Sequence, residues 1–455
     1  MPPETQSDRP TEPTPEPLPV AEQRRPTAGP GLEPELLAEE LAHRHDPYAA
    51  LRDPDYRLFA AGFTCSSMAL QMVSTAVLWE VYARTNDVFS LGLVGLARVL
   101  PVMLLALPAG HAIDLYNRKR LLVGTQAAFA VLTALLALAS WSRAGLPVFF
   151  TIIGLTACIR TFNSPTRQSL LPLIVPPGHF HNAITWNSGV FQFSALAGPI
   201  LAGVVMARTG HAWPVYAASA AGMLIFSVSA SFIRFAPPPR SPTPFTLRSM
   251  LAGLGHLWNE KTILATIALD LFAVLFGGAT ALLPVYAKDI LGVGADGYGV
   301  LRAAPYFGAL LMALVLAHRP PFRRAGRALL WSVAGYGAAM IVFGVSHWFW
   351  LSIGALLLAG AFDNISVVIR HVLVQVRTPD HLRGRVAAVN SVFIESSNEL
   401  GAFESGAVAA IFGGGARGSM ISVVSGGIGT ILVVIGVARK WPQIRRLGRL
   451  DPPAP

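Results

Sequence analysis

Twelve apolar stretches, separated by short polar segments, follow one another along this 455-residue chain. A helix needs about 20 apolar residues to cross the hydrocarbon core of a bilayer. Only 13% of the residues are charged, whereas a soluble protein carries about 25%. The sequence therefore predicts an all-α membrane protein. The predicted spans are 58–83, 88–111, 121–141, 147–168, 183–207, 213–235, 263–287, 297–317, 328–346, 348–374, 387–412 and 418–438.

The polar segments predict how the chain is divided. Residues 1–50, rich in Pro and Glu, are predicted to form a disordered cytoplasmic tail. The parts 51–235 and 263–439 each contain six spans and predict two six-helix bundles. Between them, 236–262 is predicted to be a cytoplasmic linker with a short amphipathic helix at the membrane surface. Residues 440–455 are predicted to form a second cytoplasmic tail.

The two halves of the chain repeat one another. The stretch "NSGVFQFSALAGPILAG" (187–203) aligns without gaps with "NSVFIESSNELGAFESG" (390–406), so that Gly203 matches Gly406. Many transporters contain such repeats, with a site near the middle of the bilayer between the related halves. We therefore expect two pseudo-symmetric bundles.

Lysine and arginine are concentrated in alternate loops. The basic loops and the C-terminal tail contain Arg118, Lys119, Arg120, Arg240, Arg248, Lys261, Arg319, Arg323, Arg324, Arg327, Arg377, Arg383, Arg385, Lys440, Arg445, Arg446 and Arg449. The opposite loops contain Arg84, Arg143, Arg208, Lys288 and Arg417. Cytoplasmic loops carry the excess of Lys and Arg, so both termini are predicted to lie in the cytoplasm.

Several function classes are disfavoured by the sequence. The two cysteines, Cys65 and Cys158, both lie in apolar runs and predict neither a disulfide framework nor a zinc site. The chain has no G-x-x-x-x-G-K-[ST] motif for an ATPase. Its basic residues lie in loops between spans, which argues against nucleic-acid binding. We expect no enzyme activity, no cofactor and no metal.

The stretch "AGHAIDLYNRKRLLVG" (109–124), which follows the second span, carries a family resemblance. With twelve spans in two halves, it resembles the loop signature of the major facilitator superfamily. Further stretches, such as "NSPTRQSLLPLIVP" and "TPDHLRGRVAAVNSVF", resemble the group of enterobactin exporters and macrolide efflux permeases, the transmembrane secretion effector family. The residues that match the loop signature, or directly follow it, are Gly110, Asp114, Arg118, Lys119 and Arg120.

In that superfamily the loop after span two acts as a gate latch. The resemblance implies that Asp114 pairs with the start of span eleven and with Arg383 or Arg385, which would close the cytoplasmic side. A carboxylate is favoured at a helix N-terminus. Pro321 stands where the repeat predicts a second acid, so any latch should be one-sided. The alternative is that these charges only anchor the topology.

The fifth span contains the core of the exporter motif of that family, in the sequence "AGPILAG". The matching residues are Gly198, Pro199 and Gly203. A proline bends a membrane helix, and small residues let a neighbouring helix approach closely. The resemblance implies antiport, whereas tight packing would explain the glycines equally well.

Ionisable residues within spans are candidates for a functional site, because a charge inside a membrane is costly and usually faces a cavity or a partner. Arg98 lies in the middle of span two, and Asp270 lies about a third of the way into span seven. Asp363 and Arg370 are seven residues apart in span ten and share a helix face. The repeat matches Asp363 with Arg160 of span four, which leaves open an attraction between them across a central cavity.

Span eleven carries Glu395 and Glu399, one turn apart on one face. Two carboxylates so close in a low dielectric should not both ionise easily, and a proton carrier needs this property. We predict that these two residues and the five above handle protons or substrate. The alternative is that each acid is neutralised by a neighbouring arginine and only fixes packing.

Together these features predict a secondary active transporter. We expect a proton-coupled exporter that moves an amphipathic small molecule, such as a siderophore, drug or secondary metabolite, across a bacterial inner membrane by alternating access. Its expected partners are that substrate, the proton and the lipid bilayer, and it is expected to be a monomer. Two alternatives remain: an importer on the same fold, and a transport-inactive membrane sensor or scaffold.

Overall fold

The computed structural model describes residues 46–234, 255, 260–320 and 322–448. Within these ranges the chain forms twelve long helices, one helix of four residues after the last of them, and several short helical turns. The helices are α1 (Pro54–Thr85), α2 (Val88–Leu115), α3 (Arg118–Trp141), α4 (Leu146–Ile174), α5 (Phe180–Thr209), α6 (Trp213–Phe232), α7 (Lys261–Phe276), α8 (Gly294–Ala317), α9 (Ala325–Val345), α10 (Phe349–Arg377), α11 (Asp380–Ile411), α12 (Gly415–Lys440) and α13 (Pro442–Arg445).

The predicted architecture of twelve membrane helices in two bundles is confirmed. Among the described residues, eleven helical stretches are long and apolar enough to cross a membrane by length and composition. Helix α11 does not meet that criterion, since it carries three glutamates within its 32 residues. Several helices extend beyond the predicted spans; α4, for example, continues to Ile174 instead of residue 168. Hydropathy detects only the apolar part of a helix, not the polar turns beyond it.

The seventh span was predicted to be one continuous helix over 263–287, but in the structure this helix is broken. Helix α7 ends at Phe276, and the chain continues through two glycines. A Cβ added to Gly278 would lie 2.2 Å from the carbonyl oxygen of Gly401 in α11, so only a glycine fits this contact. The Tyr336 hydroxyl donates a hydrogen bond to the Gly277 carbonyl (3.0 Å), which satisfies a backbone group at the break. The rest of the span is formed by short helical turns, Ala279–Leu282, Leu283–Val285 and Tyr286–Ile290.

Short loops and polar caps reverse the chain between neighbouring helices. The side chains of Asp53, Asp87 and Asn117 accept hydrogen bonds from backbone N–H groups in the first turns of α1, α2 and α3. Such a cap satisfies N–H groups that have no partner within the helix. The N-terminal bundle therefore alternates direction with tight turns.

Each bundle has its own helix contacts. In the N-terminal bundle α6 packs against α1 and α3, and in the C-terminal bundle α9 packs against α10 and α12. The rings of Phe59 and Phe226 meet edge to face between α1 and α6, with centroids 5.7 Å apart, an arrangement that aromatic quadrupoles favour. The packed bundles hold the helices that carry the candidate site.

The chain ends differ in part from the predicted tails. Residues 1–45 of the predicted tail 1–50 lie outside the described residues, but Ala50 is buried and its N–H bonds to the Asn182 side chain (3.0 Å). The predicted linker 236–262 and its amphipathic helix lie almost entirely outside the described residues. At the C-terminus the Ala325 N–H bonds to the Gly448 carbonyl (3.2 Å). The first part of the predicted tail 440–455 is therefore folded against α9.

Candidate functional site

The two bundles meet through glycines on four helices. Helices α2 and α11 form one contact, and α5 and α8 form the other. A Cβ added to Gly406 of α11 would lie 2.7 Å from the Cα of Gly92 in α2. A Cβ added to Gly203 of α5 would lie 3.0 Å from the Cα of Gly299 in α8. Because Gly203 and Gly406 are equivalent in the repeat, the two contacts are related by the pseudo-symmetry of the molecule.

These contacts lie toward one side of the membrane. We call the side where α1 begins and α12 ends the terminal side, and the opposite side the far side. On the far side the Trp79 ring stacks on the Tyr298 ring, with centroids 5.5 Å apart and planes at 24°. The Tyr298 hydroxyl also donates to the Thr75 carbonyl (3.3 Å). Aromatic and polar contacts therefore join α1 and α8 across the boundary between the bundles.

A polar pair of contacts lies still further toward the far side. The Tyr82 hydroxyl donates to the Asp289 carboxylate. The Lys288 ammonium donates to the Asn86 side-chain oxygen. Both contacts join the end of α1 to the turn before α8, so they close the far side with hydrogen bonds between the bundles.

The same helix faces are exposed toward the terminal side. On α5, helical periodicity places Thr185 and Ser188 on the face of Pro199 and Gly203, yet both polar residues are exposed. On α2, Met103 shares the face of Gly92 and is 58% exposed. Faces that join the bundles on the far side thus lie open on the terminal side. We take this opening as the candidate substrate pathway.

Charged residues from both bundles converge where the pathway ends. Arg98 of α2 and Arg302 of α8 both donate to the hydroxyl oxygen of Ser74 in α1, at 3.4 Å and 2.8 Å. Arg160 of α4 and Glu395 of α11 form an ion pair of 3.8 Å across the boundary, with both side chains partly exposed. Arg160 therefore pairs with Glu395 in this structure, and not with Asp363, the partner that the repeat left open. We call the five residues that make these contacts, together with Glu399, the central cluster.

Glu399 belongs to the central cluster through its effect on Arg98. The two side chains are close enough to interact electrostatically. The backbone carbonyl of Glu399 also lies where α11 touches α2, since a Cβ added to Gly95 would lie 2.6 Å from it. Glu399 thus links the charges of the cluster to the contact between the bundles.

A second charged site lies inside the C-terminal bundle. Asp270 of α7 forms a buried ion pair with Arg370 of α10, both side chains being about one-tenth exposed. Asp363 is close enough to interact electrostatically with both partners. The side chains of Tyr336 and His371 are also close enough to Asp270 to interact with it electrostatically. The structure therefore brings together three predicted site residues, Asp270, Asp363 and Arg370, from two helices.

The gating-loop residues are described only in part. Gly110 and Asp114 lie near the end of α2, but the side chain of Asp114 and those of Arg383 and Arg385 lie outside the described side chains. Their predicted pairing therefore stays a prediction.

The basic residues of that loop do have described contacts. The Arg118 guanidinium donates to the Ser169 carbonyl near the end of α4 (3.2 Å), and Lys119 donates to the Ile233 carbonyl just after α6 (2.8 Å). Positive charges are favoured at helix C-termini. Arg120 is exposed. In this structure Arg118 and Lys119 thus tie the start of α3 to two helices of their own bundle.

The glycines of the predicted exporter motif pack against two different neighbours. A Cβ added to Gly198 would lie 2.6 Å from the Cβ of Gln71 in α1, within the same bundle. The backbone at Pro199 and Gly203 faces α8 of the other bundle, where a Cβ added to Gly299 would lie 2.5 Å from the Pro199 carbonyl oxygen. The motif therefore forms part of the boundary between the bundles. The sequence did not predict this position for the motif.

Sequence reasoning missed Arg302, Ser74 and the far-side pairs. The signal for Arg302 was an arginine within an apolar span, the same signal that identified Arg98. Ser74 and Tyr82 carry no such signal, because isolated polar residues are common in membrane helices. Among the described residues no group of three or more His, Cys, Asp or Glu side chains is placed to hold a metal ion.

A match to a protein family covers most of the chain. A model of the Major Facilitator Superfamily matches residues 59–402. The chain belongs to the Major Facilitator Superfamily. It is therefore a multi-pass membrane protein of a transporter family, which argues for transport and not for catalysis.

Curated relatives match nearly the whole chain. The enterobactin exporter EntS of Citrobacter koseri is 25% identical over 440 residues, which cover 92% of this chain and 97% of the relative. The enterobactin exporter EntS of Escherichia coli O1:K1 is 24% identical over 437 residues, with the same coverage. The predicted resemblance to the enterobactin exporter group is confirmed.

Solved structures share the fold at low sequence identity. A bacterial homolog of the human lysosomal transporter Spinster, in an inward-facing and occupied conformation, aligns with a TM-score of 0.67 and 14% identity, covering 88% of this chain and 99% of that chain. The POT family transporter PepTSo aligns with a TM-score of 0.68 and 12% identity, covering 87% and 99%. These similarities support the fold of two six-helix bundles.

Proposed function

We propose that this protein is a proton-coupled exporter that moves an amphipathic small molecule across a bacterial inner membrane by alternating access. The observation that carries the proposal is the asymmetry of the bundle contacts, which join the helices on the far side and leave the same faces exposed on the terminal side. In alternating access, two bundles rock about a site near the middle of the membrane. The far-side contacts are those that such rocking must break.

The orientation follows from the basic loops. The loop after α2, the loop after α8 and the end of α12 all lie on the terminal side and carry the clusters of Lys and Arg. By the positive-inside rule this side faces the cytoplasm. In this orientation the opening faces the cytoplasm and the joined side faces outward, as expected for the state from which an exporter takes up its cargo.

The cargo we propose is a siderophore, drug or secondary metabolite. Two observations support this class: the relatives named as enterobactin exporters over 92% of the chain, and a pathway that combines exposed apolar side chains such as Met103 with a charged end. An amphipathic molecule can contact both parts. The glycine–proline motif in α5 supports antiport through the family resemblance.

We assign proton coupling to the Asp270–Arg370 pair, with Asp363 beside it. A buried carboxylate that binds a proton no longer attracts its arginine partner, so protonation of Asp270 would release Arg370. Asp363, His371 and Tyr336 are the other titratable groups that face the pair.

Contacts between helices connect this pair to the boundary between the bundles. Asp270 lies on α7, which breaks at Gly277 and then contacts Gly401 of α11 through Gly278. Helix α11 in turn contacts α2 of the other bundle. A shift of α7 on protonation would thus reach the contact that must open.

The test is efflux from loaded cells. Cells with and without the protein are loaded with a panel of fluorescent drugs and catecholate siderophores, and retention is followed before and after a protonophore. We expect faster loss with the protein and no such loss after the protonophore. Asp270→Asn should abolish the dependence on the proton gradient, while Asp296→Asn, an exposed carboxylate at the start of α8, serves as the matched control.

The same assay separates the alternatives. Accumulation of a compound in cells that express the protein would instead indicate an importer. No change for any compound, with loss of a signalling response when 1–45 is deleted, would indicate a sensor or scaffold. Export that persists after the protonophore would contradict proton coupling.

A further inference from the structure

A short sequence pattern occurs in both α2 and α8, two helices that contact the opposite bundle. The stretches "GLARVLP" (95–101) in α2 and "GVLRAAP" (299–305) in α8 share the pattern G-x-x-R-x-x-P. In each, the glycine packs against the other bundle, and the arginine follows almost one turn later toward the terminal side. Arg98 and Arg302 therefore lie in opposite bundles, just where the pathway ends.

The two arginines converge on one neutral atom. Both guanidinium groups donate to the hydroxyl oxygen of Ser74. A hydroxyl carries no charge, so it cannot offset the repulsion between two cations. Among the described side chains no carboxylate forms an ion pair with Arg98 or Arg302.

The charges of the central cluster do not balance. Three arginines are accompanied by two glutamates, and one of these, Glu395, is already paired with Arg160. Only Glu399 remains to act on Arg98, without forming an ion pair. A net positive charge inside a membrane protein is costly unless a partner offsets it, so this cluster is suited to an anion.

Access and geometry also favour an anionic ligand. Arg98, Arg302 and Ser74 are each partly exposed, not fully buried. A guanidinium group donates through a planar fork that matches the oxygens of carboxylate, phosphate or sulfonate groups. Two such forks from opposite bundles can bind one oxyanion between them.

We infer that Arg98, Arg302 and Ser74 form an oxyanion-binding site that holds a carboxylate, phosphate or sulfonate group of the transported molecule. The inference rests on the proposed transport function and specifies its substrate class as amphipathic anions. An anion held by α2 and α8 binds both bundles at once. Its binding is therefore linked to the rocking that separates them.

The test compares two probes that differ by one anionic group. 1-Anilinonaphthalene-8-sulfonate and N-phenyl-1-naphthylamine share the same aromatic framework, but only the first carries a sulfonate. Binding of each is measured by fluorescence titration of the full-length protein in phosphatidylcholine nanodiscs, with empty nanodiscs as background. We expect Arg302→Gln and Arg98→Gln to weaken binding of the sulfonate by about tenfold to hundredfold. Binding of the neutral probe should stay unchanged.

Matched variants make the result specific. Arg319→Gln, which removes an exposed arginine beyond the end of α8, should bind both probes like the unmodified protein. Arg302→Lys keeps the charge but loses the fork, and should retain part of the sulfonate affinity. Unchanged binding of the neutral probe also shows that each variant is folded.

Three outcomes would overturn the inference. Equal weakening of both probes by Arg302→Gln would indicate a packing role, and unchanged sulfonate binding would remove the site. Competition by phosphatidylglycerol that depends on Arg302 would assign the site to a lipid headgroup. The efflux assay reports separately on transport, so arginine-dependent binding without efflux would refute the proposed function and leave the site standing.

Discussion

The indole ring of Trp79 stacks on the ring of Tyr298 across the boundary between the two bundles, with centroids 5.5 Å apart. The stack lies next to the central cluster, since Tyr298 is about one turn from Arg302 on α8. It therefore separates the charged end of the pathway from the far side. In the alternating access that we propose, this contact belongs to one state and is broken in the other.

Loss of this stack should favour the opposite state. Trp79→Ala removes an aromatic pair that contributes about 0.5–1.5 kcal/mol beyond its buried area, so the far side should open more often. The measurement is labelling of a reporter cysteine, Ser74→Cys, by an impermeant thiol reagent added outside intact cells, with Cys65 and Cys158 replaced by serine. We expect several-fold faster labelling; an unchanged rate would show that the stack does not limit opening.

Larger side chains at the boundary glycines should prevent closure of the far side. Gly406→Leu places a branched side chain where a Cβ alone would be 2.7 Å from the Gly92 Cα, and Gly203→Leu does the same against α8. We expect strongly reduced efflux and faster labelling at Ser74→Cys. The control is Gly124→Leu in α3, where an added Cβ meets no atom within 4 Å. Normal efflux in Gly406→Leu would contradict the assigned contact.

The Asp270–Arg370 pair should show strong coupling in stability. Removing one partner of a buried ion pair leaves an uncompensated charge and costs about 3–5 kcal/mol. Arg370→Gln should therefore lower the melting temperature of the purified protein markedly. The double variant Asp270→Asn with Arg370→Gln should recover much of the loss, because both charges of the pair are removed together and neither is left without its partner. Additive losses in a double-mutant cycle would show that the two side chains act independently.

The gating loop gives a prediction that depends on the state of the protein. If Asp114 closes the terminal side, as the family resemblance implies, it is needed only in the state opposite to this one. Asp114→Asn should then slow efflux without changing the affinity of a probe that binds from the terminal side. Arg118→Gln, which loses a bond to the Ser169 carbonyl, should lower thermal stability slightly. Unchanged efflux in Asp114→Asn would leave the loop as a topological anchor.

Much of the fold could be predicted because the bilayer restricts what a chain can do. Each span had to be a helix of about 20 apolar residues, and the repeat between α5 and α11 supported α11 despite its glutamates. Capping residues such as Asp87 and Asn117 stand where the helices begin. The break in α7 was missed, because its cause is the backbone of Gly401 in another helix.

The site was less predictable than the fold. Helical periodicity places Asp363 and Arg370 on one face of α10, but it cannot show that Asp270 lies opposite Arg370. In the same way the sequence identified Arg98 and Glu399 as charges within membrane spans without showing that Arg302 shares an acceptor with Arg98. Partners on different helices depend on how the helices are packed, and that information is not local in sequence.

The most direct test of the account is to hold the far side closed. Asn86 and Lys288, which are hydrogen-bonded across the boundary, are replaced by cysteines in a protein whose Cys65 and Cys158 are serines. A short, reducible bifunctional thiol reagent joins them, and the yield is read by cleavage at a protease site placed in the linker. We expect efflux to stop in proportion to cross-linking and to return on reduction, while each single-cysteine variant is unaffected. Undiminished efflux from fully cross-linked protein would contradict alternating access.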